Sequence, residues 1–454
     1  MSTAYDLIIR NGTLVTAESA VPGDVATFDG RIAALGPALD GTAREELDAA
    51  GLHVLSGVID AHLHFNEPGR ADWEGFATGT RALAAGGTTL YFDMPLNASP
   101  PTVDAAAFDA KLAAARASSL VDFGLWGGII PGNLEHLDEL DARGVIGFKA
   151  FMSNSGIEDF PACDDLTLYE GMARAARLGR IVAVHAESEA LTSALATRMR
   201  ADGRGGVREY LASRPAVAEL EAIARAIVFA QETGCALHIV HVSTGRGVAQ
   251  VAEARARGVD VTCETCPHYL VLTEEDVERI GALAKCAPPL RSQEEQEALW
   301  RHVEAGNVAF IASDHSPAPA AMKQGSDFFT IWGGISGCQH LLALLLDAGH
   351  HARGLPLPML AALLSSSPAR RFAIPNKGRL AVGYDADLAL VDLRGTTEVT
   401  AESLQYRHQH SPYVGRRLRG RVVRTLVRGQ TVYHDGVVAA VPRGRLVTPA
   451  QPAR

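Results

Sequence analysis

Cysteine is scarce in this sequence, and long apolar runs are missing. Six cysteines in 454 residues are too few for the disulfide framework of a small secreted protein, so we expect reduced thiols. The longest apolar runs are too short to cross a bilayer, and residues 1–6 carry neither the basic nor the apolar segment of a secretory signal. These absences predict a cytoplasmic protein with no membrane partner.

An excess of positive charge is also absent. The 42 Lys and Arg residues are outnumbered by 52 Asp and Glu residues, which gives a formal charge of −10. There is no basic patch interleaved with aromatic residues, so the composition argues against a nucleic-acid partner. The hydrophobic share of 47% is ordinary for a globular protein, but the chain is too long for one compact core. We therefore expect a large domain with a smaller companion.

Both ends of the chain show short β-like bursts. Near the start, Asn11-Gly12 and Asp29-Gly30 are dipeptides typical of hairpin turns. The same pattern returns over residues 377–393 and 421–433. Neither end has enough large side chains to cover its own apolar face. We therefore expect residues 1–55 and 375–454 to build one composite β-sandwich.

Residues 56–374 have a different rhythm, in which strand-like apolar runs alternate with longer Ala-rich helical stretches. Eight such runs predict an α/β fold with a (β/α)₈ TIM-type barrel. A doubly wound sheet is the alternative, but no G-x-G-x-x-G sequence follows any of the runs. The eight runs cover residues 54–60, 88–94, 121–129, 144–152, 181–186, 236–242, 259–263 and 308–312.

His62 and His64 end the first of these runs. Side chains two residues apart on a strand point to the same face, so the two imidazoles would lie side by side. Such a pair suits a divalent metal of the zinc type, although two structural histidines at a strand end are the alternative. The ends of four further predicted strands carry Lys149, His185, His241 and Asp314. Because chemistry sits at the carboxyl ends of barrel strands, these six groups together predict a metal site.

Lys149 is the most informative of the six, because an ammonium group would repel the cations that its neighbours attract. Burial lowers the pKa of a lysine and favours the neutral amine, which can add carbon dioxide to form a carbamate. The two carbamate oxygens could bridge two metal ions. A buried lysine paired with a carboxylate is the alternative interpretation. Two divalent ions against the carbamate, Asp314 and a hydroxide would leave a small positive charge, which suits an uncharged substrate.

Seven stretches of the chain resemble the cyclic amidohydrolases, a family that includes dihydroorotases, hydantoinases, dihydropyrimidinases and allantoinases. The resemblance covers almost the whole chain, and within the family these stretches are most similar to the allantoinase branch. The last stretch is long and far from the predicted ligands, so metal chemistry alone does not account for it. The seven stretches are residues 67–75, 93–97, 264–269, 284–289, 313–317, 332–337 and 406–415.

The resemblance implies a pair of divalent metal ions, with zinc expected and cobalt, manganese or nickel as alternatives. The ligands would be His62, His64 and Asp314 at the more buried ion, His185 and His241 at the more exposed one, and N6-carboxylated Lys149 between them. Asp314 would also be the catalytic general acid/base. The implied reaction opens allantoin to allantoate in purine degradation and nitrogen assimilation, in a cytoplasmic homotetramer.

The identity of residue 66 helps to choose among the members of this family. Dihydroorotases typically have an arginine there that binds a substrate carboxylate, whereas this chain has Asn66. An amide suits a small, uncharged cyclic ureide, although Asn66 could equally be a turn residue and Arg70 could supply the missing charge. The resemblance implies substrate contacts at Asn66, Asn97, Ser316, Gly334, Ile335 and Ser336.

Three other activities remain as alternatives. A hydantoinase or dihydropyrimidinase would use the same fold and metals on a different ring, and a dihydroorotase would act on an acidic ring. A non-catalytic relative used in assembly would be expected to have lost metal ligands, whereas all six are present here. Cys263 and Cys266 have the spacing of a redox or zinc motif, but no second pair accompanies them, so we expect buried structural thiols. The role of His268 is left open.

Overall fold

The computed structural model describes residues 4–450. Strands from both ends of the chain form one nine-stranded sheet, which confirms the composite β unit. The order is β18-β17-β16-β15-β5-β1-β2-β3, and β4 pairs with β1. These strands are β1 (Ala4–Val15), β2 (Ala20–Phe28), β3 (Arg31–Gly36), β4 (Thr42–Asp48), β5 (His53–Ser56), β15 (Leu388–Glu398), β16 (Arg417–Val427), β17 (Gln430–His434) and β18 (Val437–Val438).

Antiparallel pairing of β5 with β15 joins the two ends of the chain, with Leu55 opposite Ala389. Apolar side chains from both ends, including Ile9, Val54, Leu388 and Leu426, then share one buried core. Neither terminal segment could bury this surface alone, which explains why the sheet needs both.

One of the two predicted hairpin turns is wrong. Asp29 and Gly30 both have positive φ and make the tight turn between β2 and β3, as predicted. Asn11 also has positive φ, but it lies inside the continuous strand β1, where the pairing register with β2 shifts between Ile9 and Gly12. Asn11 N donates to Oδ1 of Asp24 at 2.9 Å. The dipeptide therefore forms a β-bulge, which uses the same left-handed backbone as a hairpin turn.

The middle of the chain forms the predicted barrel of parallel strands. Strands β6–β8 make one hydrogen-bonded group and β9–β14 the other, and β9 continues the line of β8 after Trp126. A backbone bridge between Leu63 and His315 closes the ring. These strands are β6 (Val58–Leu63), β7 (Thr88–Asp93), β8 (Asp122–Leu125), β9 (Gly127–Gly128), β10 (Phe148–Phe151), β11 (Val182–His185), β12 (Leu237–Ile239), β13 (Val261–Thr265) and β14 (Phe310–Ile311).

Helices α1–α11 lie in the connections between the barrel strands, and α12–α14 follow the last of these strands. They are α1 (Phe76–Ala85), α2 (Ala105–Ser118), α3 (Leu137–Ala142), α4 (Asp165–Leu178), α5 (Glu189–Ala201), α6 (Val207–Ser213), α7 (Ala216–Thr233), α8 (Gly245–Ala256), α9 (Pro267–Val271), α10 (Glu274–Ile280), α11 (Gln293–Glu304), α12 (Leu341–Leu345), α13 (Leu357–Ala361) and α14 (Ser367–Arg371). Within residues 4–450, no helix is both long and apolar enough to span a membrane.

Large apolar side chains fill the barrel interior below its mouth. Ile59, Phe92, Trp126, Phe310 and Phe372 belong to one buried cluster, in which Phe372 meets three of the other rings edge-on or tilted at 5.3–5.6 Å. The barrel is therefore a packed core rather than a pore, and a ligand has room only at the carboxyl ends of the strands. All six cysteines are buried and free, as the composition predicted.

A buried charge cluster ties the barrel to the terminal sheet. Nζ of Lys377 lies 2.6 Å from Asp122, 2.9 Å from Asp385 and 2.6 Å from Asp387. Asp122 opens barrel strand β8, whereas Asp387 directly precedes sheet strand β15. The guanidinium of Arg428, on the turn after β16, also pairs with Asp122. Three carboxylates and two cations therefore connect the two parts of the fold.

Candidate metal centre

His62 and His64 meet Asp314 at the barrel mouth. Nε2 of His62 lies 3.3 Å, and Nε2 of His64 lies 3.5 Å, from Oδ1 of Asp314. The backbone explains this meeting, because Asp314 N donates to the carbonyl of His62 at 2.9 Å and so ties the end of β14 to β6. Ligand atoms of all three residues lie within 4.8 Å of one another, which is close enough to share a metal ion.

The second predicted pair, His185 and His241, lies beside the first. Nδ1 of His185 is 3.0 Å from Nε2 of His241, and the rings of His241 and His62 are 5.4 Å apart. His241 follows β12 with φ of 39°, a left-handed backbone that is uncommon for a residue with a side chain. The two pairs thus form one cluster of four imidazoles, as the strand-end pattern predicted.

Lys149, on β10, is buried against this cluster. Its Nζ lies 5.0 Å from the ring of Phe151, which stacks on His185 at 4.5 Å. Nζ has no hydrogen-bond partner among residues 4–450. Burial lowers the pKa of Lys149 to about 7, although the charges of Glu264 and Asp314 raise it in part. A neutral amine is therefore accessible near neutral pH, and it lies among groups that attract cations.

The protonation states of the other predicted ligands also suit cations. Burial lowers the pKa values of His64, His185 and His241, so their ring nitrogens have free lone pairs. Burial alone would raise the pKa of Asp314, but the charge of His62 and a hydrogen bond from His64 hold it well below its usual range. Four imidazoles, one carboxylate and an unpartnered buried amine make a donor set that fits two divalent ions.

The sequence pattern of the amidohydrolase family matches residues 53–432 of the chain. The chain belongs to the amidohydrolase family. It is 64% identical to an allantoinase of Rubrobacter xylanophilus and 57% identical to an allantoinase of Solibacter usitatus, in each case over 98% of this chain; 98% and 97% of those relatives are covered.

Solved structures of other family members have the same architecture. An L-hydantoinase from Arthrobacter aurescens matches with a TM-score of 0.95 and 36% identity over 98% of this chain and 100% of that one. A dihydropyrimidinase from Brevibacillus agri matches with a TM-score of 0.92 and 31% identity, over 98% and 99% of the two chains. These matches agree with the barrel and composite β unit of this amidohydrolase.

Two carboxylates behind the histidines were missed by the sequence analysis. Oε1 of Glu264 lies 2.5 Å from Nδ1 of His62, and its Oε2 lies 3.0 Å from Nε2 of His238. Burial would raise the pKa of Glu264, but these histidines lower it to about 2, so the carboxylate accepts from both rings. The Nε2 lone pair of His62 is then left facing Asp314. Glu187 is the second carboxylate, and its Oε2 lies 2.8 Å from Nε2 of His185.

These carboxylates fix the tautomer of one histidine in each pair, a role typical of residues behind metal ligands. Glu264 lies on β13 within a stretch that carries the family resemblance, and that was the only available signal. The spacing of the sequence does not reveal that its side chain faces β6 and β12. His238 supports Glu264 and is bonded in turn to Thr262 at 2.8 Å.

Replacement of Glu264 by glutamine is expected to weaken metal binding by about 10- to 100-fold. The amide keeps the size of the side chain but loses the charge that selects the His62 tautomer. Competition with a chelator measures the effect. The matched control is Glu219→Gln, which alters a buried carboxylate bonded to Ser243 and Thr244 instead. Equal metal affinity in the two variants would contradict this role of Glu264.

A cavity of about 490 Å³ opens above the cluster, and three of the six predicted substrate residues line it. These are Asn97, Ser316 and Gly334. The cavity lining does not include Ile335 or Ser336, whose carbonyls accept hydrogen bonds from Ser316 N at 3.0 Å and Ser411 Oγ at 2.7 Å. A role for those two residues in substrate binding stays a prediction.

Asn66 and Arg70 are both engaged by the protein itself. Asn66 has φ of 65°, and its Nδ2 lies 3.4 Å from the carbonyl of Pro317. This is the geometry of the turn residue that the sequence allowed, and its Oδ1 is buried without a partner among residues 4–450. Arg70 donates to the carbonyl of Asn97 at 2.9 Å and pairs with Asp159 at 3.4 Å. It is therefore committed to holding loops together.

His268 lies within the same region. Its ring lies close to Cys266 and Asp314, since one possible ligand atom of each of the three residues lies within 4.8 Å of the others. Both ring nitrogens of His268 lack a hydrogen-bond partner among the described residues. Cys263 and Cys266 are buried and free, as expected. Burial raises the pKa of the Cys266 thiol well above its usual value, so the thiol stays protonated and is a weak ligand.

Proposed function

We propose that this amidohydrolase is an allantoinase, which opens the hydantoin ring of allantoin to give allantoate. The observation that carries the proposal is identity of 64%, 57% and 54% to three relatives named allantoinase, each over 98% of this chain. The hydantoinase and dihydropyrimidinase structures are more distant, at 36% and 31% identity. The cavity above the histidine cluster offers hydrogen-bonding groups such as Asn97 and Ser316, which suit an uncharged ring as substrate.

Two divalent cations, zinc in the first instance, would bind at the histidine cluster. The proposed ligands are His62, His64, Lys149, His185, His241 and Asp314. Carbon dioxide would add to the neutral Nζ of Lys149, which loses a proton and becomes an anionic carbamate. Carbamate formation would explain why this buried amine has no hydrogen-bond partner among the described residues. The bound cations would supply a hydroxide nucleophile at neutral pH and polarise the carbonyl under attack.

Asp314 would move the proton during ring opening. Its carboxylate is ionised, only partly exposed and lines the cavity, on a backbone with φ of 45°. It would take a proton from the attacking nucleophile and return it to the ring nitrogen when the C–N bond breaks. The products are a carboxylate and a ureido group, so the atoms of one water molecule are accounted for. Asn97, Ser316 and Gly334 would hold the ring beside Asp314.

The second candidate is a hydantoinase or dihydropyrimidinase, because solved structures of proteins with those names overlap this chain closely. A dihydroorotase is less well supported, because Asn66 occupies the position where an arginine would bind a substrate carboxylate. A non-catalytic role is opposed by the complete set of six ligands. We include in the proposal a role in purine degradation and nitrogen assimilation, a cytoplasmic location and a homotetramer.

The proposal is tested by assaying the purified protein with racemic allantoin, hydantoin and dihydrouracil. Samples are reconstituted with zinc, cobalt, manganese or nickel, with and without bicarbonate. We expect kcat/KM for allantoin to exceed that for the other rings by at least about tenfold, or roughly 1.4 kcal/mol of transition-state binding. Faster opening of dihydrouracil than of allantoin would instead support the second candidate.

A further inference from the structure

Lysine is rare in this protein, and every lysine is buried. The chain has 42 lysine and arginine residues, of which only five are lysines, so among residues 4–450 every exposed member of this set is an arginine. The five are Lys111, Lys149, Lys285, Lys323 and Lys377. Lys111 pairs with Asp93 at 2.6 Å, Lys377 belongs to the cluster with Asp122, and Lys149 is the proposed metal bridge. The other two have no such explanation.

Lys285 binds backbone carbonyls instead of a carboxylate. Its Nζ donates to the carbonyl of Phe328 at 2.6 Å and to that of Ile331. The ring of Tyr210 lies 4.6 Å from Nζ and provides an aromatic face. No carboxylate oxygen of residues 4–450 lies within 4.0 Å of this ammonium group. Its polar contacts are therefore concentrated on one segment of chain, residues 328–334, which we call the strap.

Lys323 binds the other end of the strap. Its Nζ donates to the carbonyl of Gly334 at 2.6 Å and to that of Trp332 at 3.1 Å, with a longer contact to Ala282 at 3.5 Å. It too has no carboxylate within 4.0 Å among the described residues. Two buried lysines thus hold four carbonyls of a seven-residue segment, at residues 328, 331, 332 and 334.

The strap is one wall of the catalytic cavity. Six consecutive residues, 329–334, line that cavity. Gly334 has φ of 125°, and an added Cβ there would lie 2.3 Å from the carbonyl of Ser316, so the strap fits closely against the loop that follows Asp314. The strap is also tied by hydrogen bonds from Trp332 N to Met322 O at 2.9 Å and from Gly334 N to Lys285 O at 2.7 Å.

Burial of two lysines without a paired carboxylate has a cost, and the carbonyls of the strap offset part of it. Burial lowers the pKa of Lys285 to about 8, with Arg214 lowering it further and Asp327 raising it. Burial and the neighbouring Lys285 lower the pKa of Lys323 to about 7, and Cys286 raises it slightly. An ammonium group in such a place needs carbonyl dipoles around it. The lysines and the position of the strap are therefore coupled, since the same hydrogen bonds stabilise both.

We propose that Lys285 and Lys323 are positioning residues that hold the strap in place for binding of a neutral cyclic ureide. This inference rests on the proposed function, because a ring without charge is bound by hydrogen bonds and contact alone. A wall that supplies backbone groups must then be fixed before the substrate arrives, or ordering it reduces the affinity. Lys285 also lines the cavity, but the Nζ atoms of both lysines are occupied by carbonyls of the strap, so their loss should weaken binding of the ring more than its turnover.

The test compares Lys285→Met and Lys323→Met with the wild-type holoenzyme. Methionine keeps an apolar stem of similar length but removes the donors. We expect KM to rise by about tenfold or more, with kcat within about threefold, because each variant leaves buried carbonyls unpaired. Hydrogen–deuterium exchange of residues 328–334, measured without substrate, should become at least about tenfold faster.

The matched control is Arg416→Met. It removes a guanidinium that donates to the carbonyl of Val271 at 3.0 Å, and Arg416 does not line the cavity. Exchange of the strap and KM should both stay at wild-type values in this control. A fall in kcat at unchanged KM in the lysine variants, or exchange of the strap equal to that of the control, would overturn the proposal.

Two further measures keep the test decisive. If a methionine variant does not fold, Lys285→Gln and Lys323→Gln retain a donor at each site and should show a smaller increase in both KM and exchange. If the wild-type enzyme opens hydantoin and not allantoin, the proposed function fails, but exchange of the strap still reports on the lysines. Glutamine variants with wild-type exchange and wild-type KM would contradict the positioning role.

Discussion

Replacement of Lys149 by alanine is expected to reduce ring opening by on the order of 10³-fold or more. The variant removes the group proposed to bridge both metal ions, whereas loss of an outer partner of a ligand costs only about 10- to 100-fold. Lys149 is fully buried and its Nζ bonds to nothing else among the described residues, so the change removes packing but breaks no hydrogen bond. Steady-state kinetics with allantoin and elemental analysis of bound metal measure the outcome.

Chemical rescue separates a bridging role from a packing role. The alanine variant has a vacant space beside His185 and His241, where a short carboxylic acid such as acetate or propionate could provide two bridging oxygens. We expect added carboxylate to restore part of the activity and the metal content, whereas a neutral amide of the same size should not. Full activity with two bound metals in the variant, without any additive, would contradict the proposed carbamate.

Replacement of Lys377 by methionine is expected to lower the free energy of unfolding by about 3–5 kcal/mol. The variant leaves Asp122, Asp385 and Asp387 with Arg428 as the one cation beside them in the described structure. Uncompensated buried carboxylates are costly, and these carboxylates lie where the barrel meets the terminal sheet. Denaturant titration followed by circular dichroism measures the loss.

The control for this prediction is Arg421→Met. Arg421 pairs with Asp435 at 2.6 Å, but both side chains are more than 40% exposed. Solvent screens such a pair, so the expected change is below about 1 kcal/mol. Similar losses in the two variants would show that burial does not set the importance of the Lys377 cluster.

The barrel and the histidine cluster could be predicted because both depend on local patterns. Each predicted ligand follows an apolar run, and the rule that barrel chemistry lies at strand ends brings them together without knowledge of distances. Lys149 was recognisable because a lysine within an apolar strand is unusual. The composite β unit followed from two ends that each lacked a partner for their apolar face.

The remaining features depend on contacts between distant residues, which no local pattern contains. Asn11-Gly12 forms a bulge rather than a turn because β1 continues through it, pairing with β4 before the dipeptide and with β5 after it. Glu264 binds His62, which lies 202 residues away in the sequence. The strap needs Lys285, which lies 43 residues from its partner Phe328. In each case the side chain or backbone preference was visible, but its partner was not.

The distribution of amines gives the folded protein an unusual chemical surface. Acylating reagents such as succinimidyl esters attack accessible lysines, and here all five side chains are buried. Folded molecules should therefore leave the reagent unused at their lysines, whereas unfolded molecules should consume it at all five. Mass spectrometry of acylated lysines would then measure the fraction of unfolded molecules in a mixture with folded ones, without any optical probe.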